Sequence, residues 1–179
     1  MNMLEFVKTN LDEHKDIVRE YTTQYLKWVQ DNVLEHYQID MFKEIGIPIE
    51  KYVNNFIEKK AFTSEYSFFL IHHITDDKYI GMGAIRKHTE SVGEIKRMYL
   101  EDEYHGEGYG LQLLKFLLDT AKTQGYEKVR LDTLKFMDKA QRIYDYVGFK
   151  EIPPYEESEV PTKLCQIMKY YEINTNILL

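Results

Sequence analysis

Three glycines, Gly106, Gly108 and Gly110, recur at two-residue spacing directly after a strand-like run and directly before a leucine-rich stripe. Glycine lets the backbone take left-handed dihedrals and approach a ligand closely. A helix start adds unpaired N–H groups and a partial positive charge. The chemistry that suits this pattern is the binding of an anion, above all a phosphate or pyrophosphate. Two phosphate motifs do not fit. The dinucleotide fingerprint needs G-x-G-x-x-G, and a P-loop needs Lys-Ser/Thr after its last glycine. Here the order is G-x-G-x-G followed by Leu111-Gln112. A glycine-rich connector without a ligand is the plain alternative.

The elements that must position this loop are legible in the hydrophobic periodicity. Residues 92–100 read as a strand entering the loop. Leu111, Leu114, Leu117, Leu118 and Ala121 form the stripe of a helix leaving it, with Gly125 as its C-terminal cap. Residues 128–133 read as the next strand, and a β-α-β unit of this kind crosses over right-handed. Residues 137–146 then form a helix with Ala140, Ile143, Tyr144 and Val147 on one side, stopped by Gly148. Upstream, residues 66–71 and 79–85 are strands joined by the turn 75–78, so with 92–100 they predict an antiparallel meander. Residues 4–7 read as a short strand, and 12–33 as an amphipathic helix after the capping side chains of Asn10 and Asp12. Pro48 opens a second helix carrying Tyr52, Val53, Phe56 and Ile57. Phe149-Lys150-Glu151 and residues 164–171 close the chain as strands, the latter burying Cys165. The class is α/β with a mixed sheet.

Composition limits the function. With 179 residues and no Gly/Ser-rich linker or repeat, the expected organisation is one domain over residues 1–179. Lys+Arg number 23 against 30 Asp+Glu, a net charge of −7. That balance argues against a nucleic-acid or anionic-membrane binder. A single cysteine, Cys165, excludes an intramolecular disulfide and a cysteine zinc site. None of the six histidines has metal-ligand spacing on one helix face, and the adjacent His72 and His73 point to opposite sides of a strand. No apolar run reaches the roughly 18 residues of a membrane span, and the N-terminus lacks a secretory pattern. The expectation is a cytoplasmic protein without a metal.

Two segments together carry a resemblance. Tyr104-His105-Gly106-Glu107-Gly108-Tyr109-Gly110-Leu111 resembles motif A of the GNAT superfamily of acetyl-CoA-dependent N-acetyltransferases, a [QR]-x-x-G-x-[GA] pattern ahead of a Leu-rich helix. Downstream, Ala140 to Phe149 resembles its A-x-x-x-Y-x-x-x-G-F segment. Glu94-Ile95-Lys96-Arg97-Met98-Tyr99-Leu100 and Leu131-Asp132-Thr133 make it similar to a small, single-domain bacterial-type branch. The resemblance covers about residues 66–171. It implies a GNAT-like fold: a mostly antiparallel central sheet with a splayed strand pair, flanked by helices. Residues 1–62 would form the acceptor side and 63–171 the acetyl-CoA-binding core.

The resemblance also implies roles. His105, Gly106, Glu107, Gly108, Tyr109, Gly110 and Leu111 would hold the CoA pyrophosphate, mostly through backbone amides. Met98, Tyr99 and Leu100 would pair with the pantetheine arm, with the Leu100 amide beside the thioester carbonyl. Thr133, Ala140 and Tyr144 would line its other side. Tyr144 would protonate the departing thiolate, because a basic leaving group benefits from a nearby acid. Its alternative is core packing. Glu94 would take the proton from the attacking amine, directly or through water. Its alternative is a surface charge paired with Lys96 or Arg130. Two positions depart from the pattern: His105 stands where Arg or Gln is usual, and Met137 where Asn is common. The acidic Glu101, Asp102, Glu103 and Glu107 do not favour a pyrophosphate.

The acceptor would be a small-molecule or peptide amine. Tyr25, Trp28, Glu35, Tyr37 and Asp40 on the first helices suit a cationic one, with a solvated helix face as the alternative. Glu156, Glu157 and Glu159 would flank the mouth or form a surface loop. A catalytically weak CoA-binding module, or an enzyme acting on protein lysines or N-termini, are the competing functions. GNAT domains often pair, so a homodimer is also an expectation.

Overall fold

The computed structural model describes residues 3–155, 158 and 160–177. Strand β1 (Leu4–Lys8) is followed by helices α1 (Leu11–Tyr37), α2 (Met41–Ile45) and α3 (Ile49–Lys59). The meander β2 (Tyr66–His73), β3 (Lys78–Lys87) and β4 (Val92–Leu100) comes next. A 3-10 turn (Asp102–Tyr104) and the glycine loop lead into α4 (Tyr109–Thr123). Then come β5 (Lys128–Leu134), α5 (Asp138–Val147), β6 (Lys150–Ile152) and β7 (Met168–Asn174). The seven strands form one sheet in the order β1-β2-β3-β4-β5-β7-β6. Every adjacent pair is antiparallel except β4–β5, which is parallel.

The helix starts follow local chemistry. Asn10 accepts the Glu13 backbone N–H at 2.9 Å, satisfying one orphan amide at the start of α1, and its side-chain amide donates to the Glu13 carboxylate at 2.8 Å. Asp40 does the same for α2 by accepting from Lys43 N at 3.1 Å. The sheet divides the core in two. Ile71, Ile80, Leu114, Leu117, Val129 and Leu131 pack on the α4/α5 face. Val18, Val29, Val53, Phe56, Phe68 and Met82 pack on the α1/α3 face. Each fully buried aliphatic side chain contributes about 1.5–3 kcal/mol by leaving water.

Four local expectations need correction. Helix α2 is an extra element, made by the Asp40 cap within a stretch that reads only as polar. Helix α1 runs on to Tyr37, where Gln38 ends it in the left-handed region. Residues Thr162–Ile167 form a 3-10 helix rather than the start of the last strand, and Cys165 on it is half-buried, bonding the Pro161 carbonyl at 3.7 Å. Pro161 stands at the N-terminal end of that 3-10 helix, and strand pairing with β5 begins only at Met168. Glu156, Glu157 and Glu159 lie outside the described residues. No described helix is long and apolar enough to cross a membrane.

Candidate active site

The site grows from a fork in the sheet. Parallel pairing of β4 with β5 begins at Val92–Lys128 and ends at Ile95–Leu131. Beyond that rung β4 continues to Leu100 beside β3, and β5 continues to Leu134 beside β7. The backbone of residues 96–100 on the β5 side is therefore left without a strand partner. A β-bulge accompanies the fork. Met82 opposes Tyr99 and Ala84 opposes Lys96, so three steps on β4 match two on β3. Arg97 absorbs the extra residue with φ of 53°. The bulge resets the alternation: Met98 and Leu100 pack with the α4/α5 core, while Tyr99 packs with the α1/α3 core.

The glycine loop sits at the open end of the fork. Gly106 and Gly108 have φ of 92° and 78°, and space for at least 4 Å lies where a Cβ would stand. Gly108 is the N-cap of α4, and no side chain caps the helix. Gln112 N is the first amide of α4 with a backbone acceptor, Gly108 O at 3.1 Å. The amides of Tyr109, Gly110 and Leu111 therefore stand open at the positive end of a 15-residue helix. This geometry fits a pyrophosphate.

The loop is fixed from beneath. Tyr109 turns its ring inward, and its hydroxyl meets His73 Nε2 at 3.2 Å. His73 Nδ1 lies 3.0 Å from Asp76, which also accepts from the Tyr104 hydroxyl. Two acidic residues of the loop turn towards Lys78, whereas Asp102 stays exposed. Glu101 accepts from Tyr21 at 3.0 Å and from Lys78 at 3.3 Å, and Glu103 lies 3.8 Å from Lys78. His105 is exposed and donates from Nε2 to the Leu100 carbonyl at 3.0 Å. Glu107 is exposed on the loop.

On the α5 side of the fork, Tyr144 is buried between the rings of Phe149 and Tyr171. Its hydroxyl has no hydrogen-bond partner among the described residues. Burial, then Tyr25, Asp132 and Tyr171, push the Tyr144 phenol well above its ordinary value. Tyr144 is thus both packed and chemically free. Ala140 is half-buried one turn before it, and Thr133 donates to Met137 Sδ at 3.2 Å. Gln141 ties α5 to β5 through the Leu134 and Lys135 carbonyls, at 3.0 and 3.1 Å.

On the α1/α3 side lies a buried ionic cluster. Glu94 is 0% exposed. One of its oxygens accepts from Arg86 Nε and Nη2 at 2.7 and 2.6 Å, the other from Lys96 at 3.1 Å and the Tyr155 hydroxyl at 2.5 Å. Lys96 also bridges the base of the fork to Asp132. Arg130 pairs with Glu172 at 2.8 Å and not with Glu94. The surface alternative for Glu94 is therefore corrected: it is an interior group. Its base role is also disfavoured by this geometry, because a carboxylate with four donors has little affinity left for a proton. Burial pushes Glu94 up, but Lys96, Tyr155 and Arg86 outweigh it and hold it below the ordinary carboxylate range. Asp132 moves the other way. Its burial outweighs Lys96, and Glu94 adds to the rise. Of two carboxylates sharing one lysine, Asp132 is the more basic.

Residues 22–149 match the profile described as the Acetyltransferase (GNAT) family. The chain belongs to the GNAT acetyltransferase family. An uncharacterized N-acetyltransferase of Dictyostelium discoideum is 39% identical over 64 residues, which are 36% of this chain and only 30% of the relative. One from Schizosaccharomyces pombe is 26% identical over 156 residues, 85% of this chain and 83% of the relative. The spermidine N-acetyltransferase of Vibrio cholerae, solved in complex with CoA and spermine, shares the fold with a TM-score of 0.66 at 16% identity, over 98% of each chain.

Several residues of this GNAT protein escaped the sequence reading. Lys96 does pair with Glu94, as one of the two expected partners, whereas Arg86, Tyr155 and, through Lys96, Asp132 join them only through tertiary contact. The alternation of charge along β4 and β5 was the available signal for Lys96 and Asp132; Tyr155 gave none. Of the proposed acceptor residues, Tyr25 packs against the α1/α3 core, where burial and then the Asp132 carboxylate push its phenol up against the opposing Arg97 and Lys96. Trp28 and Tyr37 instead lie against Phe136, and Asp40 is spent as a helix cap. Glu35 is exposed on α1. Among the described residues, no group of three His, Cys, Asp or Glu side chains is arranged to hold a metal ion.

Proposed function

We propose that this GNAT protein transfers the acetyl group of acetyl-CoA to a primary amine by direct attack, with residues 1–179 acting as one domain. The observation that carries the reading is the fork, with an unpartnered Tyr144 hydroxyl on one side, the more basic Asp132 on the other, and uncapped amides at its open end. Acetyl-CoA supplies an acyl thioester with a thiolate leaving group. The amides from Gly106 to Leu111 would take its pyrophosphate. The open backbone of Met98, Tyr99 and Leu100 would pair with the pantetheine, as an added strand does, and Thr133 and Ala140 would line the arm.

The balance of the reaction then assigns the protons. The amine nitrogen bonds to the thioester carbon, and the C–S bond breaks after a tetrahedral intermediate stabilised by the Leu100 amide. The proton lost by the amine goes to Asp132, and Tyr144 gives one to the sulfur. Glu94 is a positioning residue: with Arg86 and Tyr155 it fixes Lys96, and Lys96 fixes Asp132. The Vibrio cholerae neighbour is a spermidine N-acetyltransferase, which supports an amine acceptor class.

Thiol release from acetyl-CoA against an amine panel tests this reading. Because Asp132 must be deprotonated to act, kcat/KM rises with pH through its raised pKa. Asp132→Asn is expected to lower kcat/KM by about 10²-fold and to remove that acid limb. A pH profile of unchanged shape in the variant contradicts the assignment.

A further inference from the structure

The acceptor side of the fork holds a cation, Arg97, for which no ion pair is seen among the described residues. Arg97 occupies the bulge position of β4, in a left-handed conformation that side chains other than glycine seldom take. The bulge aims its side chain to the α1/α3 face, where its guanidinium lies 3.9 Å over the Phe56 ring. Stacking on an aromatic ring fixes the guanidinium plane and leaves its edge for another partner. Among the described residues no carboxylate or hydrogen-bond acceptor meets it, and its Nε is buried without a partner. The neighbouring cations contrast with it. Arg86 and Lys96 pair with Glu94, Lys96 also with Asp132, and Arg130 with Glu172.

A buried N–H without an acceptor is costly and calls for an explanation. A strained backbone that presents it strengthens the case for a ligand. The place is also informative. Arg97 follows Lys96, the residue that holds Asp132. The Tyr25 phenol feels both Arg97 and Asp132. A guanidinium edge matches a carboxylate through paired N–H bonds.

We infer that Arg97, on the floor made by Phe56, is an acceptor subsite for a carboxylate, so that the amine acetylated belongs to a small molecule of the amino-acid class. The inference rests on the acetyl-transfer reading above. It sets this chain apart from an enzyme for polyamines: an unpaired cation repels a second ammonium, and specificity is a difference between two affinities.

The test compares acceptors that differ only in this group: free L-amino acids, the same amino acids as carboxamides, and spermidine. Each is assayed by thiol release with wild type, Arg97→Gln and Arg97→Lys. Loss of a charge-assisted pair is worth about 10- to 100-fold in kcat/KM. Wild type is expected to prefer the free carboxylate over the amide by that factor. Arg97→Gln should erase the preference and Arg97→Lys keep part of it. Equal use of amides, preference for spermidine, or an unaltered preference in Arg97→Gln overturns the assignment. So does turnover of no carboxylate-bearing acceptor by an enzyme that acetyl-CoA stabilises. Failure of acetyl-CoA to stabilise the wild type is a separate result and overturns the transfer reading itself. Unfolding curves of both variants with and without acetyl-CoA show that the chain and its cofactor site are intact.

Discussion

Tyr144→Phe is expected to lower kcat by about 10²-fold or more, the usual scale of a positioned acid, with little change in acetyl-CoA binding. The substitution removes one oxygen and keeps the ring that packs between Phe149 and Tyr171. Because the lost hydroxyl has no partner among the described residues, no described group is orphaned and stability should change by less than about 1 kcal/mol. Burial holds the phenol protonated through the ordinary assay range. The wild-type profile should therefore show no alkaline limb from Tyr144, and the deficit of the variant should be constant with pH. Core packing alone predicts the opposite split, with near-normal turnover. Single-turnover rates beside acetyl-CoA affinities separate the two.

Glu94→Ala is expected to cost about 3–5 kcal/mol of stability, because it removes the buried carboxylate that Arg86 and Lys96 share. For a chain of this size that is on the order of 10 °C in Tm. A residue acting only as a base would leave Tm nearly unchanged. The pH dependence has a definite sign. The folded pKa of Glu94 lies below its unfolded value of about 4.5, so its contribution is complete at neutral pH. It disappears as pH falls from that unfolded value through the depressed folded one. Scanning calorimetry of wild type and Glu94→Ala between neutral and acid pH should show two curves that converge on acidification. Curves separated by a constant gap contradict the buried-cluster account.

Much of the frame was written in local pattern. The meander, the strand–loop–helix unit and the helix holding Tyr144 follow from periods of two and 3.6 residues and from glycine stops. The open amides at Tyr109 to Leu111 follow from a helix entered through glycine. What the sequence hid is tertiary. The 3-10 helix around Cys165 carries the same apolar residues as a strand, and only the register with β5 decides where pairing starts. The bulge at Arg97 depends on counting β4 against β3. Tyr155 reaches Glu94 across 61 positions, and Asp132 reaches Lys96 across 36. Glu94 looked like an accessible strand charge because alternation gives a face but not what covers it. Here Arg86, Lys96 and Tyr155 close on the Glu94 carboxylate and bury it.

The central claim is that the fork and its uncapped helix bind acetyl-CoA. Thermal unfolding of the purified chain with acetyl-CoA, beside NAD and ATP, tests it most directly. At about 100 times its dissociation constant, a ligand of the native state adds roughly 2.7 kcal/mol. The account predicts an upward shift of several degrees with acetyl-CoA and none with the other two nucleotides. An unmoved transition at millimolar acetyl-CoA, or equal shifts with all three, contradicts it.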